Sequence, residues 1–413
     1  MQRGYEDSPT EPVQENPEMK RFLKKILGKE TIARLWHLPK AVLAAALYGF
    51  PGRSLTVIAV AGTKGKTSTA YFISQLLDKL GIANVLFSTA ALKINGEESL
   101  NSLKLTTPTP FFLQRFLYRA KRRGCTHAVL EVSSHAIVQR RLWGVPLQYV
   151  VLTNLMPDHQ EFHASGKEYQ QTHLALITSR LKLLVLNGDD PNLTSFQNLS
   201  VPQLVVHESG SFQESNIACA RAAVESLGIK SEKIIPFLAS LRSAPGRMEK
   251  IDEGQQFQVI VDYAHSPESL RAFFENLPRV TIGKVIVVFG GCGERDPAMR
   301  PVMGAILDSH SNTVIVTNDD PYSEDPESIS GQLLDGIVNK ERDRDLFVIL
   351  DRRDAIKKAL LAAHDGDIVC ILGKGAEQWQ VFKNKKIPWD DRVVVRELLH
   401  EKISQPTTLK ANG

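Results

Sequence analysis

The sequence predicts an α/β protein made of two successive, mainly parallel sheets with helices on both faces. Three observations lead there. Short apolar runs of strand length recur along the 413 residues, they alternate with helix-length amphipathic stretches, and the alternation restarts after the turn Ala244-Pro-Gly-Arg247. A chain of this length exceeds one ordinary domain, so two or three are expected. Hydrophobic residues at 43% and charged residues at 23% supply enough apolar material for such cores.

Residues 1–17 are polar, acidic and Pro-containing, which reads as a disordered tail without a signal-peptide pattern. Residues 18–51 read as a basic amphipathic helical segment, with Lys20, Arg21, Lys24, Lys25 and Lys29 beside Phe22, Leu23, Ile26 and Leu27. Leu55 to Ala61 reads as a buried strand, Gly62 to Lys66 as a turn and Thr67 to Leu80 as a helix. Ile73, Leu76, Leu77 and Leu80 fall at i, i+3, i+4 and i+7, and Gly81 is a good stop. Strands at 128–132, 149–153 and 183–186 complete a central unit over 52–242. A second unit, 243–413, has strands at 258–261, 285–289, 313–316, 347–350 and 368–372.

Composition excludes several classes. The net charge of +4 points only weakly to anionic small molecules, and no long Lys/Arg tract suggests nucleic acid. Cys125, Cys219, Cys292 and Cys370 are scattered without a CxxC pair, so the expectation is a reducing compartment and no zinc. The longest apolar stretch, Ala41 to Phe50, falls well short of the roughly 20 residues a bilayer requires. A cytoplasmic protein is expected.

The strongest chemical signal is Ala61-Gly-Thr-Lys-Gly-Lys-Thr-Ser68, between the first strand and its helix. Turned-in N–H groups of Gly62, Thr63, Lys64 and Gly65, with the helix N-terminus, suit phosphate oxygens. Lys66 adds positive charge, and the hydroxyls of Thr67 and Ser68 stand where Mg²⁺ or phosphate would be met. Val60 replaces the first Gly of GxxxxGK[ST], so this is the shorter GTxGKTS form.

That shorter loop resembles the one used by the Mur ligase family, and further motifs follow in the family's order. They are Thr106-Thr-Pro-Thr-Pro110, Glu131-Val-Ser-Ser-His135, Thr153-Asn-Leu-Met-Pro-Asp-His159, Asn187-Gly-Asp-Asp-Pro191 and Gly246-Arg-Met-Glu249. Beyond the linker come Asp262-Tyr-Ala-His-Ser-Pro267, Phe289-Gly-Gly-Cys-Gly-Glu-Arg-Asp296, Asp319-Asp-Pro321 and Gly373-Lys-Gly-Ala-Glu377. Together they are most similar to the tripeptide-synthetase type within the family. The resemblance implies a P-loop-type sheet domain followed by a Rossmann-like one. It also implies an ATP- and Mg²⁺-dependent ligase that activates the carboxylate of a muramyl-peptide precursor as an acyl phosphate and joins it to a free amino acid.

Roles carried over from the family are as follows. Lys66 holds the β- and γ-phosphates, Thr67 and Glu131 one Mg²⁺, and His159 a second. Asn187, Asn216, Arg247, Asp262, Tyr263 and His265 surround the nucleotide. Thr106, Thr107, Ser133, Gln139 and Arg141 hold the precursor, while Arg295, Asp320, Gly373 and Glu377 form the acceptor pocket. Read alone, Glu131 is equally a solvated strand-end charge, and Asp320 and Glu377 are equally loop carboxylates.

Four departures stand out. The family's N-terminal uridine-binding domain has no room before the first strand, so the precursor is UDP- or lipid-linked. His173 stands where the family has a carbamoylated lysine. Tyr322 follows Asp-Asp-Pro where diaminopimelate-adding enzymes carry Arg, which favours lysine or another diamine as acceptor. Only 24 residues separate Pro191 from Asn216, which implies a compact variant. The basic N-terminal segment either contacts an anionic membrane or covers the edge of the central domain; a monomer is expected. The competing functions are a folylpolyglutamate-synthetase-like or polyglutamate-type ligase and a non-catalytic nucleotide-binding scaffold.

Overall fold

The computed structural model describes residues 33–103, 105–156, 166–208, 210–277, 283–383 and 385–403. The tail, most of the basic segment and His159 lie outside them. Helix α1 (Leu38–Leu47) leads through a short turn into β1 (Thr56–Ala61) and α2 (Lys66–Lys79). Then follow β2 (Asn84–Phe87), β3 (Ala91–Ile94), β4 (Glu97–Leu100), α3 (Pro110–Arg122), β5 (His127–Glu131), α4 (Ser134–Val138) and β6 (Tyr149–Leu152). Helix α5 (Gly166–Leu174), β7 (Leu183–Asn187), α6 (Thr194–Gln197), β8 (Gln203–Val206), α7 (Phe212–Glu225) and α8 (Ser231–Leu238) complete the first half.

The first sheet has the order β4-β3-β2-β5-β1-β6-β7-β8, parallel except for the antiparallel β3 and β4 at one edge. Strand β1 sits in the middle, so it is apolar on both faces. Val57, Ala59 and Ala61 pack with α3 residues Leu113, Phe116 and Leu117, while Ile58 and Val60 pack with Phe72, Ile73, Leu76 and Leu77 of α2. The side-chain period of two sends alternate residues to opposite layers.

The second half repeats the plan. Its elements are β9 (Glu249–Ile251), β10 (Gln258–Asp262), α9 (Pro267–Glu275), β11 (Val285–Gly291), α10 (Met299–His310), β12 (Thr313–Asn318), α11 (Pro326–Leu334) and β13 (Leu346–Val348). Helix α12 (Arg352–Ala362), β14 (Ile368–Leu372), the hairpin β15 (Trp379–Phe382)–β16 (Lys385–Pro388) and α13 (Asp391–Ile403) follow. The sheet order is β13-β12-β11-β14-β10-β9, with only β9 antiparallel. Each strand expected from the sequence is present within a few residues of its expected bounds. The 24-residue span after Pro191 holds α6 and β8, which simply extends the sheet in parallel with β7.

Candidate active site

Parallel strands end together, which brings the loop after β1 beside the last residue of β5. Val60 pairs with Glu131, and Ala61 with Leu152 on the other side. Ligands of open α/β sheets bind at such carboxyl ends. The loop needs its glycines. Gly62 and Gly65 have φ of 135° and 79°, and a Cβ on Gly65 would lie 2.2 Å from Asn216 Oδ1. The segment following β6 grips the loop: Thr63 N donates to Asn154 O at 2.8 Å, Lys64 N to Asn154 Oδ1 at 2.9 Å, and Thr153 Oγ1 to Lys64 O at 2.6 Å. Lys66 Nζ donates to Thr63 O at 2.7 Å, so its ammonium folds back over the loop.

Glu131 is 2% exposed and has both oxygens fixed. Thr67 Oγ1 donates to Oε1 at 2.9 Å, Thr89 Oγ1 to the same oxygen at 3.0 Å, and Thr89 N to Oε2 at 2.6 Å. Thr89 was not among the candidates; it follows β2, which pairs with β5, and no spacing in the sequence links it to Glu131. Asn216, on α7, accepts from Thr69 Oγ1 at 3.2 Å behind the loop. Asn187 is not brought to the cleft. Its amide donates to Thr153 O at 3.0 Å and its Oδ1 accepts from Asp189 N at 3.1 Å, so it braces the strand ends.

His173, at the position of the family's carbamoylated lysine, lies near the end of α5. It is fully buried on α5, its Nδ1 lies 2.9 Å from Tyr169 O, and its ring meets that of Tyr169 edge-on at 4.6 Å. Tyr169 stands between it and the loop, with its hydroxyl 3.2 Å from Thr63 Oγ1. Thr63 Oγ1 also lies 3.0 Å from Met156 O. A hydroxyl has one proton to give, so Thr63 donates to that carbonyl and accepts from Tyr169.

The expected precursor residues form a shelf behind Glu131. Thr89 Oγ1 gives its proton to Glu131, so Thr106 Oγ1 donates to it at 3.1 Å; Thr107 Oγ1 donates to Glu131 O at 2.9 Å and accepts from Ser133 N at 3.0 Å, and Ser133 caps α4. Arg141 spends two donors internally, on Gln139 Oε1 at 2.9 Å and Thr107 O at 2.5 Å. Burial holds its pKa below the ordinary value.

From the second half, Asp262 accepts from Met248 N at 2.7 Å and Ala264 N at 2.8 Å, tying the linker to β10. Burial raises its carboxyl pKa, against the pull of Arg247. Arg247 lies over the Tyr263 ring at 4.6 Å. His265 Nδ1 lies 2.7 Å from Tyr263 O, and burial pushes its pKa below the usual imidazole range, so the neutral ring carries its proton on Nδ1.

The acceptor residues are arranged differently from expectation. Asp320 is 2% exposed and already engaged: Lys374 Nζ reaches Asp319 Oδ1 at 3.1 Å, Asp320 Oδ1 at 2.8 Å and Glu377 Oε2 at 3.1 Å. An internal ammonium thus sits where an incoming amine was expected. Burial alone would push Lys374 down, but the three carboxylates outweigh it and raise its pKa. Gly373 packs against Asp319; its φ of 109° and a would-be Cβ at 2.6 Å from Asp319 Oδ2 exclude other residues. Glu377 is the outward member of the cluster, with Oε1 3.5 Å from Tyr263 OH.

A cleft of about 1300 Å³ joins these parts. It is lined by Thr63 to Ser68, Thr106, Glu131 and Asn216 from one half and by Arg247, Asp262, Tyr263, His265 and Arg295 from the other. A smaller recess of about 60 Å³ beside it is lined by Thr89, Arg247, Tyr263, Lys374 and Glu377.

Residues 60–236 match the Mur ligase middle domain, and residues 246–375 match the Mur ligase, glutamate ligase domain. UDP-N-acetylmuramoyl-L-alanyl-D-glutamate--2,6-diaminopimelate ligase of Geobacillus kaustophilus is 34% identical over 88% of this chain and 82% of its own length. A solved structure of a ligase with that description superposes with a TM-score of 0.61 at 30% identity, covering 85% of this chain and 79% of that one. Folylpolyglutamate synthase of Mycobacterium tuberculosis, solved with ADP and AMPPCP, reaches a TM-score of 0.65 over 89% of this chain and 95% of that one. Its 16% identity shows a shared fold alone. The chain therefore belongs to the Mur ligase family, the ATP-dependent, ADP-forming ligases that add an amino acid to a muramyl peptide in peptidoglycan precursor synthesis.

Proposed function

We propose that this chain joins a cationic amino acid to a carboxylate of a muramyl dipeptide, through an acyl phosphate. A carboxylate oxygen attacks the γ-phosphorus and ADP leaves. The amine then attacks the acyl carbon, the C–O bond breaks, phosphate departs and the nitrogen gives up a proton. Phosphoryl transfer asks for positioning and neutralisation of charge more than covalent help. The observation that carries this reading is the Thr67–Glu131 hydrogen bond of 2.9 Å at the mouth of a glycine–lysine phosphate loop.

The loop N–H groups and Lys66 would hold the phosphates, with Lys66 leaving Thr63 O to do so. The hydroxyl of Thr67 and the fixed carboxylate of Glu131 are the hard oxygen donors that Mg²⁺ takes, and His159 is expected beside them. Bound Mg²⁺ supplies neutralisation of the β- and γ-oxygens. Residues 52–242 and 243–413 act as two domains whose closure excludes water from the acyl phosphate. We read the protein as a cytoplasmic monomer.

The recess is lined by Glu377, one of three carboxylates gathered on Lys374. That supports lysine or another diamine as acceptor. Tyr322, with its backbone tied to Val381 and Lys383, offers no cation for a distal carboxylate.

The test is ADP and phosphate release with UDP-N-acetylmuramyl dipeptide and a panel of amino acids, with a folate arm alongside. Release should require the dipeptide and be greatest with a diamine, and Lys66→Ala should lower it at least about a hundredfold. Turnover with folate in place of the dipeptide would contradict the reading.

A further inference from the structure

Helix α1 packs in the reverse sense for a surface helix. Its alanines Ala41, Ala44 and Ala45 are fully buried, whereas Leu43 is 60% and Leu47 66% exposed. Such helices ordinarily turn their large apolar residues to the core. Trp36, one turn before, is also exposed, as are Phe111 and Tyr118 on α3. Aromatic contacts extend this face: the rings of Tyr48 and Tyr118 lie 6.1 Å apart, and those of Phe50 and the exposed Trp143 6.2 Å apart. None of these residues lines the cleft.

The charge of the two segments that build this face is one-sided, with Arg123 paired to Glu97 of β4. Residues 33–53 and 110–123 contain eight Lys and Arg and no Asp or Glu, although the whole chain has 50 basic and 46 acidic side chains. Cations stand beside its aromatic rings, with Lys40 Nζ 4.3 Å from the Trp36 ring and Arg53 Cζ 4.0 Å from that of Phe50. We propose that this face docks on an anionic lipid bilayer. Leucines enter the acyl boundary, Trp and Tyr sit at headgroup depth, and Lys and Arg meet lipid phosphates. A nucleic acid would match the charge but leave Leu43 and Leu47 without a role. A two-fold dimer through this face would set the basic patch against itself.

Full-length protein is floated with phosphatidylcholine vesicles, with and without phosphatidylglycerol at about one part in three. It should rise with the anionic vesicles alone and be released by high salt. Leu43→Ser/Leu47→Ser should weaken binding by at least about tenfold through lost burial. Lys121→Glu/Arg122→Glu should do the same through charge, and both variants should retain ADP-forming activity on a soluble precursor. Wild-type protein staying at the bottom with anionic vesicles would overturn the proposal, and so would equal flotation of the leucine variant. A wild-type dimer that becomes a monomer in the leucine variant, without vesicle binding, would assign the face to a second copy.

Discussion

Lys374, inside the motif Gly373-Lys-Gly-Ala-Glu377, is the side chain that holds the carboxylate cluster beside the recess together. Its ammonium is fully buried among Asp319, Asp320 and Glu377. Removing one partner of a buried ionic group leaves the others uncompensated, so Lys374→Met should cost about 3–5 kcal/mol. Asp320→Asn in the same chain should recover part of that loss in thermal unfolding. Because the folded pKa of Lys374 is raised, its contribution is fully present below the unfolded lysine value of about 10.4 and fades as pH rises through the folded one. The melting difference between wild type and Lys374→Met should therefore stay constant from neutral pH to about pH 10. Tyr169 gives a second residue-scale expectation: Tyr169→Phe keeps the ring over His173 but loses the hydroxyl at Thr63. The KM for ATP should rise by about fivefold, a loss of one hydrogen bond of about 1 kcal/mol, with KM for the amino acid unchanged. Lys66 and Thr67 were legible because loop spacing alone defines them. Thr89, Tyr169 and Lys374 were not, because Glu131, Thr63 and the Asp319–Asp320 pair that they meet lie more than forty residues away in sequence.

Secondary elements were readable where burial is symmetrical. Strands β1, β5, β6 and β14 lie inside their sheets and read as continuous apolar runs. Strands β2 to β4, β8, β9 and the β15–β16 hairpin carry no such run; most lie at sheet edges, where Glu97, Glu98, Lys385 and Lys386 face solvent. The element that shapes the chemistry is the turn between β1 and α2. Gly65→Ala would force a Cβ into Asn216 and a left-handed backbone worth about 1–2 kcal/mol, so ATP binding should fall sharply while the dichroism spectrum is kept. Gly246, φ 63°, plays the same part in the linker, where a Cβ would lie 2.1 Å from Ala376 N. Gly246→Ala should separate the linker from the turn that carries Lys374 and Glu377, lowering kcat with the amino acid saturating.

At the scale of the molecule, the cleft belongs to neither half. Polar contacts across it include Lys64 Nζ to Glu268 O at 2.7 Å, and Phe212 N to Asn276 Oδ1 at 2.9 Å. The sequence motifs pointed to both walls of this cleft, but not to how closely they approach or to the ammonium seated among Asp319, Asp320 and Glu377. The central claim is that the phosphate of ATP passes to a carboxylate oxygen of the precursor. Precursor labelled with ¹⁸O in that carboxylate, turned over with ATP and the preferred amino acid, tests it directly by mass spectrometry of the released phosphate. Transfer of one ¹⁸O into each phosphate is the predicted result; phosphate without label, carrying oxygen from water instead, would contradict it.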